Sequence, residues 1–291
     1  MKALDLKMTA VAAALTVSGS ASAAIDGFAG GNGELFLNIA TPTNSFTADL
    51  KAPTILTGSL PAANSGNPTI GSFTAGPLSV PGLTLRWDLN GYSYQPPAGG
   101  TVNPWTQFLA TGASADNAIF NVAAGDSLGS LGTAGTLNYL STSSSLLATI
   151  QAQTNSQMNN FKNVELAGGL LPGVNGLPSH NLLDDGASVA SAADGPAFFP
   201  NGMSLDWKGS ATFNSTDSVM KSLPFYLLSN SGTPTTKPVN VTTYGGTFSV
   251  DMQNGFLYYQ TAAAVPEPGT WVLLVAGLVG VGAISRRRLT R

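Results

Sequence analysis

Thr247-Phe248-Ser249-Val250-Asp251-Met252-Gln253-Asn254-Gly255-Phe256-Leu257-Tyr258-Tyr259-Gln260 carries the clearest local signal in the chain. Phe248, Val250 and Met252 alternate with Thr247, Ser249 and Asp251, the period-two pattern of a half-buried strand. Asn254-Gly255 interrupts it with a dipeptide that accepts positive φ at both positions, the type I′ geometry of a two-residue hairpin. The spacing predicts a hairpin pairing Met252 with Leu257 and Val250 with Tyr259, all four on one face. A chain that ends its body this way is built from antiparallel strands.

Working outward, further strands are expected at residues 239–244, 225–228 and 203–208, and at 136–140, 118–122, 83–89 and 69–74. In 83–89, Leu83, Leu85 and Trp87 face one way and Arg86 and Asp88 the other. The first strands are expected at 33–39, with Leu35, Leu37 and Ile39 aligned, and at 45–50, joined by the turn Thr41-Pro42-Thr43-Asn44. Asn103-Pro104-Trp105 reads as a helix start, Asn at the N-cap and Pro at N1, with Trp105, Phe108 and Leu109 as its apolar side. Residues 145–162 predict a longer helix, with Ser145 as cap and Leu147, Ile150, Met158 and Phe161 near helical spacing. Residues 170–200 read as loop, and 53–82 as loop apart from the strand at 69–74. Many short strands and few helices predict a mainly β fold, an antiparallel β-sandwich of jelly-roll type with one or two short helices. The paired tripeptides Arg86-Trp87-Asp88 and Asp206-Trp207-Lys208 suggest two related sheets.

Both ends of the chain differ from the middle. Residues 1–23 hold Lys2 and Lys7, an apolar run over 8–17, and the small residues Ala21-Ser22-Ala23, which predicts a signal peptide cut before Ala24 by signal peptidase. At the far end, residues 271–284 contain no charge: Trp271, Leu273, Leu274, Val275, Leu278, Val279, Val281 and Ile284 alternate with Ala and Gly. As a helix this run spans roughly 21 Å, short of the roughly 30 Å hydrocarbon core. Bilayer thinning and snorkelling arginines can absorb the difference. Arg286, Arg287 and Arg288 supply the positive stop expected on the cytoplasmic side, so a single membrane-spanning helix is predicted. Three parts follow: a signal peptide at 1–23, an extracytoplasmic β-rich domain at 24–261, and a linker with sorting and anchor segment at 262–291.

Between residues 24 and 264 six cations face thirteen acids, a net charge of −7, while the whole chain carries −3. The basic residues are concentrated in the ends. Six scattered cations do not build the clustered basic face that nucleic-acid phosphates need. Charged residues are 9% of the chain against a typical ~25%, so Ser, Thr, Asn and Gly must keep the body hydrated. The chain has no cysteine, which excludes a disulfide framework and thiolate chemistry.

Val265-Pro266-Glu267-Pro268 precedes the apolar run. The two prolines donate no backbone hydrogen bond and break any element entering the helix, leaving Glu267 in an extended segment that a protease or transpeptidase can grip. The order Val-Pro-Glu-Pro-Gly-Thr-Trp, apolar run, Arg-Arg-Arg resembles the PEP-CTERM sorting signal of Gram-negative bacteria. The resemblance implies recognition by an exosortase, a membrane-embedded transpeptidase-like enzyme, with processing near Pro-Glu-Pro. Residues 31–37 and 45–50 also resemble the opening of a recurrent PEP-CTERM subgroup, from which no activity carries over.

Catalytic signals are sparse. His180 is the only histidine and reads as a loop residue, with no Gly-x-Ser-x-Gly elbow to serve. Ser218-Val219-Met220-Lys221 matches the Ser-x-x-Lys of penicillin-binding enzymes without its companion elements. Glu34 and Glu165 are the only glutamates between 24 and 264, a thin supply for paired-carboxylate glycoside hydrolysis. Asp184, Asp185 and Asp194 are the one calcium candidate, by their hard oxygens, although Asp184-Asp185-Gly186 reads better as a turn. No other cofactor is expected. These features predict an exported, exosortase-processed cell-surface or matrix protein, structural or adhesive and not an enzyme. Its precursor would be anchored in the inner membrane and its mature form at the surface or outside the cell. One alternative is a carbohydrate-binding module for exopolysaccharide, using Trp87, Tyr92, Tyr94, Trp105 and Trp207. The other is a secreted hydrolase using scattered aspartates.

Overall fold

In β1 (Phe36–Ala40) and β2 (Asn44–Asp49) the alternation read from the sequence becomes an antiparallel pair in which Ile39 faces Phe46. Thr41 closes the turn: its Oγ1 accepts from the Asn44 N–H at 3.1 Å and its own N–H donates to the Asn44 carbonyl at 2.8 Å. A computed structural model of the chain describes residues 35–60, 78, 80–93, 101–126, 132–157, 187–193, 198 and 214–263. Within these, the remaining strands are β3 (Thr54–Thr57), β4 (Thr84–Asp88), β5 (Ile119–Asp126), β6 (Asn138–Thr142), β7 (Ala187–Ser191), β8 (Asp217–Ser218), β9 (Leu223–Ser229), β10 (Asn240–Asp251) and β11 (Phe256–Thr261).

The fold is mainly β and antiparallel, as expected, but its strands are not divided between two facing sheets. Among the described residues they form one eleven-stranded sheet in the order β3-β4-β11-β10-β9-β6-β5-β1-β2-β7, with β8 beside β5, curled into a half-barrel. The join is β6 with β9, where Leu140 faces Leu227. A sandwich would leave both of those strands as edges. Pairing them satisfies their backbone groups, and the twist accumulated over many strands curls the sheet around its own apolar side.

That inner side carries Leu35, Leu37 and Ile39 at one end and Leu85, Trp87, Leu257 and Tyr259 at the other, all buried in one cluster. A short helix, α1 (Pro104–Ala110), packs against it. Asn103 caps α1 as predicted, its Oδ1 accepting from the Thr106 N–H at 2.9 Å. Trp105 meets Phe46 edge-on at 5.3 Å between ring centroids, and Phe108 lies 6.0 Å from the same ring.

Several expectations need correction. The closing hairpin forms around Asn254-Gly255, but its register differs: Val250 faces Leu257, Phe248 faces Tyr259, and Met252 lies in a four-residue loop. Only Gly255 has positive φ, at 70°, so the loop is not a two-residue type I′ turn. The expected strand 239–244 and the first hairpin strand are one long strand, β10, irregular between Thr243 and Thr247 in its pairing with β9. Strands β3 and β7 arise where loop was expected. The helix expected over 145–162 is interrupted: α2 (Leu147–Gln151) is preceded by Leu146 rather than capped by Ser145, whose Oγ accepts from the Asn214 N–H at 2.7 Å, and residues 155–157 are helical again after a break. Beyond α2 the chain bonds to another segment: the Gln153 carbonyl accepts from the Val239 N–H at 2.8 Å, and the Asn155 N–H donates to the Lys237 carbonyl at 2.9 Å. The break between the two helical pieces lies where the backbone at buried Gln153 and Asn155 bonds to the loop before β10.

The expected strands at 69–74 and 203–208, Met158 and Phe161, Asp206-Trp207-Lys208, and the segment 1–23 with Ala21, Ala23 and Ala24 lie outside the described residues. No helix among the described residues is long and apolar enough to cross a membrane. The expected anchor, from Trp271 through Ile284 to Arg286, Arg287 and Arg288, also lies outside them.

Candidate functional site

Three places follow from the sequence and the fold: the exit of the chain toward its tail, a buried polar row, and the outward face of β4, β11 and β10.

The exit is pinned. Thr261 Oγ1 donates to the Val80 carbonyl at 2.6 Å and accepts from the Leu83 N–H at 2.9 Å, and the Thr261 N–H donates to the Leu83 carbonyl at 3.0 Å. The Gly82 N–H donates to the Ala262 carbonyl at 2.9 Å. Ala262 and Ala263 are exposed. Val265, Pro266, Glu267 and Pro268 lie outside the described residues, and their distance along the chain from this anchored strand end is short.

These residues decide the reading of the tail. Residues 264–288 match the PEP-CTERM protein-sorting motif. The motif marks an exported chain that an exosortase processes at the membrane. The match ends there: the resemblance read at residues 31–50 gains no support from it. Neither a curated protein nor a solved structure gives a significant match to the chain. The sorting motif therefore states the chain's handling, and the body must be read from its own surface.

The polar row crosses β2, β1 and β5 at a shared register, Thr47 opposite Asn38 and Asn38 opposite Asn121. Asn38 Nδ2 donates to Asn121 Oδ1 at 3.0 Å, and Thr47 Oγ1 donates to Asn38 Oδ1 at 2.8 Å. Asn38 and Asn121 are buried. Amides and a hydroxyl do not titrate near neutral pH, so this row supplies no acid or base. Its directional bonds penalise any register slip, which would leave buried amides unpaired.

The outward face follows from the alternation that buries Leu257 and Tyr259. Phe256 and Tyr258 must point the other way, and on the neighbouring strand so must Arg86 and Asp88. Tyr258 faces Arg86 and Phe256 faces Asp88 across the β11–β4 pair, and Asp251 faces Phe256 from β10. The Arg86 guanidinium lies over the Phe256 ring, 4.6 Å from its centroid. Phe256 and Tyr258 meet edge-to-face at 6.1 Å. Among the described residues no carboxylate pairs with Arg86, and its Nε has no hydrogen-bond partner. Asp251 is spent locally: the Asn254 side chain and then its N–H, followed by the Gln253 N–H, hold its carboxyl below the usual range against the opposing effect of burial. The signal for this face was present in Phe256-Leu257-Tyr258-Tyr259, a run too aromatic for one buried side.

The aromatic residues expected to meet sugars are placed differently. Trp87, Tyr92 and Trp105 are core residues, 3%, 3% and 1% exposed, so they offer no platform. Trp87 Nε1 donates to the Lys51 carbonyl at 2.7 Å, and the Tyr92 hydroxyl donates to the Asp49 carbonyl. Tyr94, Trp207, His180, Glu34, Glu165 and the calcium candidates Asp184, Asp185 and Asp194 lie outside the described residues. In Ser218-x-x-Lys221 the lysine serves another partner: its Nζ lies 2.8 Å from Asp217 Oδ2. Burial works to raise the Asp217 pKa, but Lys221 and the Ser218 N–H outweigh it and hold the carboxyl below its ordinary value.

Proposed function

We propose that the body is a structural or adhesive protein of the cell surface or extracellular matrix, non-enzymatic and without a cofactor of its own. Signal peptidase opens its export by cutting before Ala24. The inner membrane holds the precursor through Trp271 to Ile284, and an exosortase releases or transfers the mature protein by cutting near Glu267. The observation that carries this reading is the sorting motif at residues 264–288, which directs a strand-rich, acidic, cysteine-free body out of the cytoplasm.

The test is cell fractionation with mass spectrometry of both mature termini, on wild type and on Glu267→Ala. Wild type is expected outside the inner membrane with Ala24 first and a C-terminus near Pro266-Glu267-Pro268. Glu267→Ala, or exchange of both prolines for alanine, is expected to leave uncleaved precursor in the inner membrane. An intact Met1 on exported protein, or maturation of these variants like wild type, overturns the reading.

A second reading, a carbohydrate-binding module, is favoured by the outward Phe256–Tyr258 pair beside Arg86. It is compatible with the first, since an adhesive matrix protein needs a ligand.

A further inference from the structure

We propose that the outward face of β4 and β11 binds a carboxylate-bearing polysaccharide, with Arg86 taking a uronate carboxylate and Tyr258 stacking on a sugar ring. The inference rests on the carbohydrate-binding reading and names its ligand class and residues.

The face combines three chemistries within two strands. Arg86 is the one arginine between residues 24 and 264. Its guanidinium carbon lies 4.6 Å from the centroid of the Phe256 ring, and a group held against an aromatic face in this way still has Nη donors to offer an acceptor. A carboxylate suits that fork because two parallel N–H bonds can reach its two oxygens. Tyr258, half-buried on the same face and directly across from Arg86, offers an apolar ring face with a polar tip, which suits one side of a pyranose. Asp88 and Gln260 are exposed on the same face, opposite Phe256 and Thr84 respectively. Both accept hydrogen bonds from hydroxyls, which a polysaccharide has in abundance and a simple anion lacks.

Charge narrows the class. One guanidinium with Asp88 two residues along the same strand, on a body of net charge −7, does not attract a polyphosphate. A neutral glycan would leave the cation without its best partner. A polymer with one carboxylate per sugar places each charge singly, next to hydroxyls that Asp88 can accept from.

The test is affinity electrophoresis of the full chain in gels containing polygalacturonate, the same polymer after carboxyl reduction, or poly-glutamate. Retention by polygalacturonate alone is expected. Arg86→Gln is expected to weaken it about tenfold or more, the order expected for losing a charged hydrogen-bonding pair. Arg86→Lys should give a smaller loss with unchanged near-ultraviolet circular dichroism, which carries the test should Arg86→Gln fail to fold. Tyr258→Ala should weaken retention while Tyr258→Phe preserves it. Equal retention by the carboxyl-reduced polymer, or wild-type binding by the Arg86 variants, overturns the acidic-ligand site and leaves the carbohydrate-binding reading standing. Equal retention by poly-glutamate reduces the site to ion exchange and overturns the proposal. No retention by either polysaccharide overturns both.

Discussion

Gly246 faces the ring of Tyr259, and a methyl group built there would overlap the phenol. Tyr259 cannot step aside easily: it is fully buried, its hydroxyl donates to the Leu78 carbonyl at 3.0 Å, and Phe248 lies 4.9 Å away. Gly→Ala in a strand normally helps by limiting the unfolded chain, so the two effects oppose each other. Overlap with a locked ring should win. We expect Gly246→Ala to destabilise by about 1–3 kcal/mol, read as a lower urea midpoint with an unchanged slope. Burial also pushes the Tyr244 hydroxyl up to about 12. Tyr259 is raised further still, by burial first and by Tyr244 second, with the Gly246 N–H acting the other way. Folded values above the unfolded value near 10 favour the neutral phenols. Their contribution is therefore complete below about pH 10 and declines as pH rises from there through the folded values. Tyrosinate absorbance from these two residues should appear only together with loss of near-ultraviolet dichroism. Their free ionisation near pH 10 in an intact fold would contradict the packing. That Tyr259 points inward was legible from alternation, whereas its contact with Gly246 was not, because that contact depends on the pairing register.

The closing hairpin shows how far an element can be read. The observed register differs from the expected one by two residues, and a two-residue shift keeps every side chain on its face. Of the four residues expected on one face, Val250, Leu257 and Tyr259 keep that face with different partners, and Met252 leaves the ladder for the loop while staying buried. Asn-Gly alone permits several turns. Asp251 selects among them, accepting from the Asn254 N–H at 3.0 Å and its Nδ2 at 2.8 Å, while the Gly255 N–H donates to the Asp251 carbonyl at 2.9 Å. The end of β11 has a consequence for processing. Because Thr261 is clamped and the Ala262 carbonyl is held by the Gly82 N–H, residues 262–264 are the whole link between the sheet and Val265, a reach of no more than about 10 Å even when fully extended. Deleting residues 262–264 should draw Pro266-Glu267-Pro268 against the body and leave precursor in immunoblots of whole cells. Inserting Gly-Ser-Gly at the same point should leave maturation intact. Efficient maturation of the deletion would show that the enzyme needs no clearance from the body.

At the scale of the molecule, α1 ties together parts of the sheet that are far apart in strand order. Trp105 packs on Phe46 of β2 and lies beside the β10–β11 loop, where a Cβ on Gly255 would come within 2.7 Å of its Nε1. Trp87 and Tyr92 reach back to the carbonyls of Lys51, just past β2, and Asp49, its last residue. These contacts add to strand twist in holding the curl of the half-barrel. Trp105→Ala should cost about 3–5 kcal/mol and Trp105→Phe less, measured by urea unfolding of the full chain. A loss below about 0.5 kcal/mol, within the range of ordinary surface substitutions, would mean that the curl is held elsewhere.

Composition, alternation and end signals by themselves determined that the chain is exported, carries a sorting tail, and folds as antiparallel strands with Leu37, Trp87 and Tyr259 turned inward. They also marked Asn103 as a cap, because capping is a local property of three or four residues. What the tertiary structure alone decided is that β6 pairs with β9, making one curled sheet in place of two facing ones, and that β3 and β7 pair at its ends. It also decided that Tyr92 is core, while Arg86, Phe256 and Tyr258 share an outer face. The reason is physical: a period of two specifies which side of a strand is apolar, and that preference is satisfied by any partner of the same pattern. The choice of partner rests on contacts between residues such as Leu140 and Leu227, 87 positions apart, whose energy appears only when β6 and β9 come together.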